Sequence, residues 1–342
     1  MNQLELARPT EAMARSPLLL IDDNADNLQV LESMLEWAGY ENVIGCTSAL
    51  QGLTALSRIN PDLVILDLMM PGMDGYEFLI RVAEDSHLRP FLPVLVFTAD
   101  LSASAKTRAL ALGASDFLTK PGDAIEIQLK VRNFLQILQR TANLAVARRE
   151  AVEVLTNACE YRDDETGHHV RRVGELSAGI ARELGLDIDF VASILLAAPL
   201  HDLGKIGLPD SILLNTGKLS EAELTLMQGH SRIGAELIGD KTSPLLQLAR
   251  EIAQDHHERW DGAGYPAGLA GEAIPISARI VAVADAYDAI THDRRYKPRR
   301  SQFEALNELQ AMSGTQFDPK IVPALIEHLR TGGWVLEERK AA

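Results

Sequence analysis

Strand-length apolar runs alternate with helical patterns in the first third of the chain, and this alternation is the strongest constraint on its fold. The runs are LLLI (18–21), LVILDL (63–68), PVLVFT (93–98) and DFLT (116–119), with a weaker candidate at 42–44. Short apolar runs separated by helices are typical of a parallel sheet covered on both faces. The pattern therefore predicts a doubly wound α/β domain with a five-stranded parallel sheet, whose ligands bind at the carboxyl ends of the strands.

From about Asp123 the strand-like runs stop, and helical periodicity continues almost to the end of the chain. This predicts an α/β domain over residues 17–124, a connecting helix over 125–159 and an all-α domain over 160–335. The connecting helix has two interpretations: a parallel coiled-coil seam between two copies of the chain, or a helix lying amphipathically on its own domain. The seam would use apolar residues at a 4-3 spacing, namely Ile127, Val131, Phe134, Leu138, Ala145, Val152 and Leu155.

The charge and cysteine content argue against several classes of protein. The chain has 342 residues, with 33 Lys and Arg against 48 Asp and Glu, so its formal net charge is −15. A negative field argues against sequence-independent binding to DNA or anionic lipid. The sequence also lacks the pattern of a basic recognition helix, which argues against a transcription factor. The apolar runs are too short for a membrane span, and the N-terminus lacks a signal-peptide pattern. With two cysteines, one in each half, a cytoplasmic protein is predicted.

Polar residues lie at the ends of four predicted strands. Asp22 and Asp23 follow the first run, Asp67 lies within LVILDL, Thr98 ends PVLVFT, and Lys120 follows DFLT. Three carboxylates suit Mg²⁺, which would let Asp67 attack a phosphoryl group without charge repulsion. Thr98 and Lys120 can then bind phosphoryl oxygens.

The motifs around these residues resemble the receiver domain of response regulators. The matching segments are LLLIDD, LVILDLMMPGMDGYEF, VFTAD and DFLTKP. The resemblance implies a flavodoxin-like fold, Asp67 as phospho-acceptor, Asp22 and Asp23 as further Mg²⁺ ligands, and a histidine kinase as phosphodonor. Phe117 lies at the position of that family's switch aromatic, and the alternative is a plain core residue.

Histidines are concentrated in the second half, where several lie next to acids. His201 and Asp202 are adjacent, as are His256 and His257, and Asp285 lies within an otherwise apolar helical stretch. Such groups are costly to bury unless they converge on cations. Mixed imidazole and carboxylate ligands suit Fe, Mn, Zn, Ni or Co better than Ca²⁺. The sequence therefore predicts a transition-metal site in the all-α domain.

The same segments resemble the HD metal-dependent phosphohydrolase superfamily and its HD-GYP branch, the cyclic di-GMP phosphodiesterases. HDLGKIGLPD with the distant Asp285 carries the first resemblance, and HHERWDGAGYP carries the second. The resemblance implies metal ligands at His169, His201, Asp202, His230, His256, His257 and Asp285. Glu165 resembles the position that provides a third metal in a subset of the family, and the alternative is a surface acid. The resemblance thus implies two or three transition metals, with Fe or Mn favoured.

Phosphodiester hydrolysis requires a water that is nucleophilic at neutral pH, which two cations about 3.5–4 Å apart can supply. We expect His201, Asp202 and Asp285 to form the core that bridges the metals. Lys205 follows closely and is expected to contact a phosphoryl oxygen or the leaving group. The alternative for Lys205 is an ordinary lysine at a helix end.

Substrate-binding residues are predicted on two further segments. The run DRRYKPRR (293–300) concentrates basic residues, of which Arg294 and Lys297 are expected to bind the second phosphate or a guanine edge. The GAGYP loop has two glycines and a proline, which favour a tight, preset backbone. We expect Gly264 and Tyr265 of this loop to form a wall of the pocket.

Together these patterns predict a two-component output enzyme. Phosphorylation of Asp67 would control hydrolysis of cyclic di-GMP to the linear dinucleotide, with cleavage onward to GMP left open. Two alternatives remain: a phosphohydrolase of another nucleotide, and a catalytically silent adaptor that binds the nucleotide or a partner protein. The complete set of metal-ligating residues favours an enzyme over the adaptor.

Overall fold

The protein folds into two compact units, Met1–Ala145 and Val146–Ala342. The computed structural model describes residues 8–84, 92–99, 102–160, 168–215, 217–293 and 299–332. Within these ranges the first unit holds a parallel sheet and the second is helical. The predicted fold class is therefore confirmed.

The sheet of the first unit has five parallel strands in the order β2-β1-β3-β4-β5. The strands are β1 (Leu18–Ile21), β2 (Val43–Cys46), β3 (Leu63–Leu66), β4 (Val94–Thr98) and β5 (Asp116–Thr119). The helices of this unit are α1 (Glu11–Ala14), α2 (Ala25–Ala38), α3 (Ala49–Ile59), α4 (Gly75–Glu84) and α5 (Ala103–Ala111). Ile21 pairs with Cys46 on one side and Leu66 on the other, so the carboxyl ends of the central strands are aligned.

Alternate residues of β1 point into two different hydrophobic cores. Leu18 and Leu20 lie in a core that includes α2 residues, whereas Leu19 and Ile21 lie in one with residues of α3 and α4. All four side chains are essentially inaccessible to solvent. Burial on both faces explains why the strand reads as a continuous apolar run rather than an alternating one.

One long helix, α6 (Ala124–Glu160), belongs to both units. Ile127 and Val131 are buried in the first unit's core on the α2 side of the sheet, and Val152 is buried in the core of the second unit. These three residues are therefore unavailable for the seam built on the 4-3 spacing. Both ends of α6 instead lie amphipathically on their own unit, while residues 140–151 are all exposed.

The second unit is built from nine described α-helices around one core. They are α7 (His168–Glu183), α8 (Ile188–Ala197), α9 (Asp210–Leu213), α10 (Glu221–Gln228), α11 (His230–Ile238), α12 (Pro244–Asp255), α13 (Ile276–Thr291), α14 (Gln302–Ala311) and α15 (Ile321–Thr331). Fully buried residues of five helices form the centre of the core: Ile180, Ile194, Ile252, Val283 and Leu325. Two isolated β-bridges lie in its loops.

A backbone-to-backbone contact joins the 3-10 turn Leu203–Gly207 to α11. A Cβ atom at Gly204 would lie 1.9 Å from the carbonyl oxygen of His230 and 2.4 Å from the amide nitrogen of Gly234. A residue with a side chain does not fit there. Because His201 and Asp202 directly precede this turn, the close approach places them beside His230 at the first residue of α11.

The segment Ile188–Gly207 is, among the described residues, long and apolar enough by composition to cross a membrane. It is not one continuous α-helix, since α8 ends at Ala197 and two 3-10 turns follow. Ile194, Ala197 and Ala198 are fully buried in the second unit's core. This packing is that of a core segment of a globular unit.

Candidate active site

Three carboxylates meet at the carboxyl edge of the sheet. One oxygen from each of Asp22, Asp23 and Asp67 lies within 4.8 Å of the others. Asp22 and Asp67 are buried, and Asp23 is exposed. This is the oxygen-rich arrangement that a hard divalent cation such as Mg²⁺ prefers, with its remaining positions open to water.

Lys120 neutralises part of this acidic cluster. Its Nζ lies 2.5 Å from Asp22 Oδ2 and 2.7 Å from Asp67 Oδ2. Asp22 also accepts hydrogen bonds from the backbone N–H of Asn24, at 2.9 Å, and from the side-chain amide of Asn27, at 3.2 Å. The two asparagines, which the sequence patterns did not single out, thus fix the orientation of the Asp22 carboxylate.

Thr98 and Phe117 lie on the neighbouring strands β4 and β5. Thr98 is fully buried, and its backbone carbonyl accepts the N–H of Lys120 at 2.9 Å. Phe117 is half-buried against the core on the α3 and α4 side. The role of Phe117 as a switch aromatic stays a prediction.

Seven imidazole and carboxylate side chains converge in the second unit as two adjoining groups. The first group consists of Asp202, His230, His256 and His257, and the second of His169, His201 and Asp285. Within each group one ligand atom per residue lies within 4.8 Å of all the others. The groups adjoin, because the ring centroids of His201 and His256 are 5.2 Å apart. The structure therefore brings together seven of the eight predicted ligands.

The proton positions of the histidines fit a metal site. Nδ1 of His201, His230 and His256 lies 2.9, 2.7 and 3.0 Å, respectively, from a carbonyl oxygen of the preceding turn. Since a carbonyl oxygen only accepts, each Nδ1 carries a proton, and Nε2 is the ring atom that can bind a metal ion. The buried Nε2 atoms of His201 and His256 have no hydrogen-bond partner in the described part of the chain. Rings oriented in this way suit metal coordination.

Asp202 sets the charge balance of the cluster. Burial alone would raise its pKa, but Lys205 and His201 hold that pKa well below the ordinary value. Conversely, burial lowers the pKa of His201, while Asp202 and then Asp285 outweigh burial and raise this pKa to about 9. The acids thus attract positive charge, and a divalent cation would bind here by displacing the proton of His201.

Two histidines of the first group, His230 and His257, are held neutral. Burial lowers the pKa of His257 to about 2. Burial also lowers the pKa of His230, against the opposing effect of Asp202. Neutral imidazoles are the form that binds metal ions.

Lys205 lies at the rim of the cluster. Its Nζ is 2.8 Å from Asp202 Oδ2, and its side chain is mostly buried. An ammonium group in this position can pair with a second anion that reaches the cluster.

The GAGYP loop forms a wall beside the first group. The ring centroids of Tyr265 and His257 are 4.7 Å apart, and burial raises the pKa of the Tyr265 hydroxyl, which stays protonated. A Cβ atom at Gly264 would lie 2.4 Å from the backbone nitrogen of Arg259, so the loop can approach this closely only with glycine there.

Two buried carboxylates that the sequence patterns did not single out support these groups. Glu258 accepts the backbone N–H groups of Ala267, Gly268 and Leu269 at 2.7, 3.1 and 2.9 Å, which fixes the segment that directly follows the GAGYP loop. Asp288 contacts Nδ1 of His169 at 2.7 Å. The signal for Asp288 in the sequence was its place one helical turn after Asp285 in DAYD.

Three predicted site residues lie outside the described ranges. They are Glu165, Arg294 and Lys297. Their roles stay predictions from the sequence.

Comparison with known families identifies the class of protein that this fold and these clusters define. The response regulator receiver domain matches residues 18–132, and the HD domain matches residues 153–321. The chain is thus a response regulator in which a receiver domain is joined to an HD domain.

Relatives that align over most of the chain narrow the assignment further. A cyclic di-GMP phosphodiesterase of Thermotoga maritima is 36% identical over 335 residues, which cover 91% of this chain and 89% of that protein. The cyclic di-GMP phosphodiesterase response regulator RpfG of Xanthomonas campestris is 37% identical, with 90% and 86% covered. This chain therefore belongs to the family of cyclic di-GMP phosphodiesterase response regulators.

A third relative has a higher identity over a shorter stretch of the chain. The 3'3'-cGAMP-specific phosphodiesterase 2 of Vibrio cholerae is 45% identical over 180 residues, which cover 53% of this chain and 34% of that protein.

Replacement of Glu258 by Gln is expected to loosen residues 267–269, which directly follow the GAGYP loop. The amide retains one acceptor oxygen and turns an N–H group toward backbone N–H groups, which costs about 1–3 kcal/mol. Amide hydrogen exchange at residues 267–269 should therefore accelerate about tenfold to a hundredfold. Glu272→Gln, which alters an exposed carboxylate paired with Lys320, should leave this exchange unchanged. Equal exchange in wild-type protein and Glu258→Gln would contradict the assigned role.

Proposed function

We propose that this chain is a metal-dependent phosphodiesterase that hydrolyses cyclic di-GMP and is controlled by phosphorylation of Asp67. The observation that carries the proposal is the convergence of two groups of metal-ligating side chains in the HD domain. The substrate is supported by the two relatives named for cyclic di-GMP that align with most of the chain. The product is the linear dinucleotide, with GMP as a further product to be tested.

The two groups each suit one transition-metal ion, with Fe or Mn favoured and Zn, Ni or Co as alternatives. Glu165 is the proposed ligand of a third ion. When bound, the ions lower the pKa of a bridging water and neutralise charge on the phosphoryl oxygens. Asp202, which lies near histidines of both groups, is the proposed bridging ligand.

Five further residues of the HD domain are proposed to bind and orient the substrate. We assign Lys205 to a phosphoryl oxygen or the leaving group, because its ammonium lies at the rim of the cluster. Tyr265 and Gly264 shape the wall beside His257. Arg294 and Lys297 provide the positive charge for the second phosphate or a guanine edge.

The relative named for 3'3'-cGAMP favours one further substrate, because it is 45% identical to this chain over 180 residues. That nucleotide shares the phosphodiester ring chemistry of cyclic di-GMP. A side-by-side comparison of both nucleotides therefore belongs in the activity test.

In the receiver domain, Mg²⁺ bound by Asp22, Asp23 and Asp67 permits transfer of a phosphoryl group from a histidine kinase to Asp67. Thr98 and Lys120 then bind the oxygens of that group. The proposed organisation is a receiver domain over 17–124, a connecting helix over 125–159 and an HD-GYP domain over 160–335. We place the protein in the cytoplasm.

We further propose that two copies of the chain pair through α6. Exposed residues of this helix continue a seven-residue spacing that is typical of a coiled coil. The apolar residues at these positions are Ile137, Leu144, Ala147, Ala151 and Val154. These five residues form an exposed apolar stripe along α6. The stripe occupies other helix positions than the 4-3 spacing that begins at Ile127 and Val131.

Removal of one metal ligand should abolish the activity. Wild-type protein is expected to contain two or three transition-metal equivalents by elemental analysis and to convert cyclic di-GMP to the linear dinucleotide. His201→Ala should lose metal and at least about a hundredfold in turnover, since even outer residues of metal sites contribute 10–100-fold. His328→Ala, outside the cluster, is the matched control. Full metal content and turnover in His201→Ala would contradict the catalytic assignment.

Asp67→Asn should abolish phosphorylation by a small-molecule phosphodonor, because an amide cannot accept the phosphoryl group. Intact-mass analysis of wild-type protein with Mg²⁺ and acetyl phosphate should show one added phosphoryl group, and the effect of the donor on hydrolysis should vanish in the variant. Asp62→Asn changes an acid just before the amino end of β3 and should still be phosphorylated. Equal uptake by Asp67→Asn would refute the assignment.

Leu144→Glu should prevent pairing through α6, because it places a charge on the proposed stripe. Sedimentation equilibrium should report a dimer for wild-type protein and a monomer for this variant. Val146→Glu, which alters another exposed apolar residue on a different face of the helix, should stay dimeric. A monomeric wild-type protein, or dimers of all three, would overturn the pairing.

A further inference from the structure

Asp288 is a buried carboxylate that contacts three side chains next to the metal-ligating groups: His169, Arg172 and His292. Its side chain is 1% exposed, and it lies on α13 one turn after Asp285. Oδ2 is 2.7 Å from Nδ1 of His169, while Nε2 of the same ring is 3.4 Å from Oδ1 of Asp285. The His169 imidazole is therefore held between two carboxylates of one helix, one on each ring nitrogen.

His169 differs in this respect from the other histidines of the cluster. Nδ1 of His201, His230 and His256 meets a neutral backbone carbonyl, whereas Nδ1 of His169 meets an ionised carboxylate. A hydrogen bond to a charged acceptor is roughly twice as strong as one to a neutral acceptor. It also makes the opposite ring nitrogen a better donor to a metal ion.

Arg172 holds the Asp288 carboxylate in place. Its Nε lies 2.5 Å from Oδ1 and its Nη2 lies 2.9 Å from Oδ2, a bidentate arrangement that fixes the plane of the carboxylate. Arg172 and His169 both belong to α7, so Asp288 ties this helix to α13. His292, at the end of α13, also lies 3.0 Å from Oδ1.

We propose that Asp288, held by Arg172, is a positioning residue that fixes the His169 ring with Nε2 directed at the metal. This role rests on the metal-dependent function proposed above. Asp288 does not bind the ion or the substrate. It acts through His169, so its loss should weaken the ion bound by His169, His201 and Asp285 more than the other ion.

A purely structural role for Asp288 predicts a different result from a positioning role. The chain offers a matched control that distinguishes the two roles. Asp318 is a second buried acid of the same unit, and it receives Nη1 of Arg279, also from α13, at 2.6 Å. This pair is chemically similar to the pair of Asp288 and Arg172 but includes none of the metal-ligating histidines. Asp318→Asn is therefore the matched control for a buried acid that loses its charge beside an arginine.

The experiment is a Co²⁺ titration of the full-length, metal-free protein, followed by visible absorption and by competition with a chromophoric chelator. Asp288→Asn should weaken one Co²⁺ equivalent about 10–100-fold and change its absorption spectrum. Asp318→Asn should lower the melting temperature but bind both equivalents as wild-type protein does. In a His169→Ala background, Asp288→Asn should cause no further loss, because the two residues act as one unit.

Arg172→Lys is the second variant for this test if Asp288→Asn fails to fold. It keeps the positive charge but loses the bidentate geometry, and it should weaken the same equivalent by a smaller factor. Wild-type Co²⁺ affinity and spectrum in the folded variant, or equal weakening by Asp318→Asn, would overturn the positioning role alone. A wild-type protein that binds no Co²⁺ would overturn the proposed function together with this inference.

Discussion

The free-energy cost of burying carboxylates close together governs both clusters of this protein. An acid removed from water is strongly disfavoured unless positive charge or hydrogen bonds compensate it. In the receiver domain Lys120 supplies part of that charge to Asp22 and Asp67. In the HD domain Lys205 does so for Asp202. In both clusters the acids outnumber this one ammonium group, which leaves an attraction for further cations.

Backbone geometry makes this electrostatic arrangement possible in the HD domain. Residues from five segments reach one cluster, and two of these segments meet because the turn at Gly204 approaches α11 without an intervening side chain. Hydrogen bonds from Nδ1 to carbonyls then fix the imidazole rings, so the direction of each Nε2 is set by the fold rather than by a metal. Such a preset site loses less conformational entropy when an ion binds.

The sequence was sufficient to predict the fold class and the convergence of these residues, but not the contacts that support them. The strand-ending position of Asp67 and the adjacent pairs HD and HH carry strong local signals. Asp288 and Glu258 have weaker ones, because each acts through tertiary contacts to His169 or to the loop at 267–269 that no sequence spacing encodes. The sequence left the seam and the amphipathic helix open for α6 for a related reason: Ile127 and Val152 show helical spacing, but the spacing does not say which surface covers them.

The clusters explain hydrolysis, whereas the choice of nucleotide must depend on other groups. Cyclic di-GMP and 3'3'-cGAMP present the same phosphodiester bonds to a metal centre and differ only in the groups on one base. Discrimination between them therefore requires hydrogen-bonding groups at a base edge, where an unpaired buried partner is costly for the wrong nucleotide. In the proposed function the cluster residues serve the ions and the phosphates. Specificity then depends on side chains beyond the cluster, and the predicted binding residues Tyr265, Arg294 and Lys297 are the places to alter it.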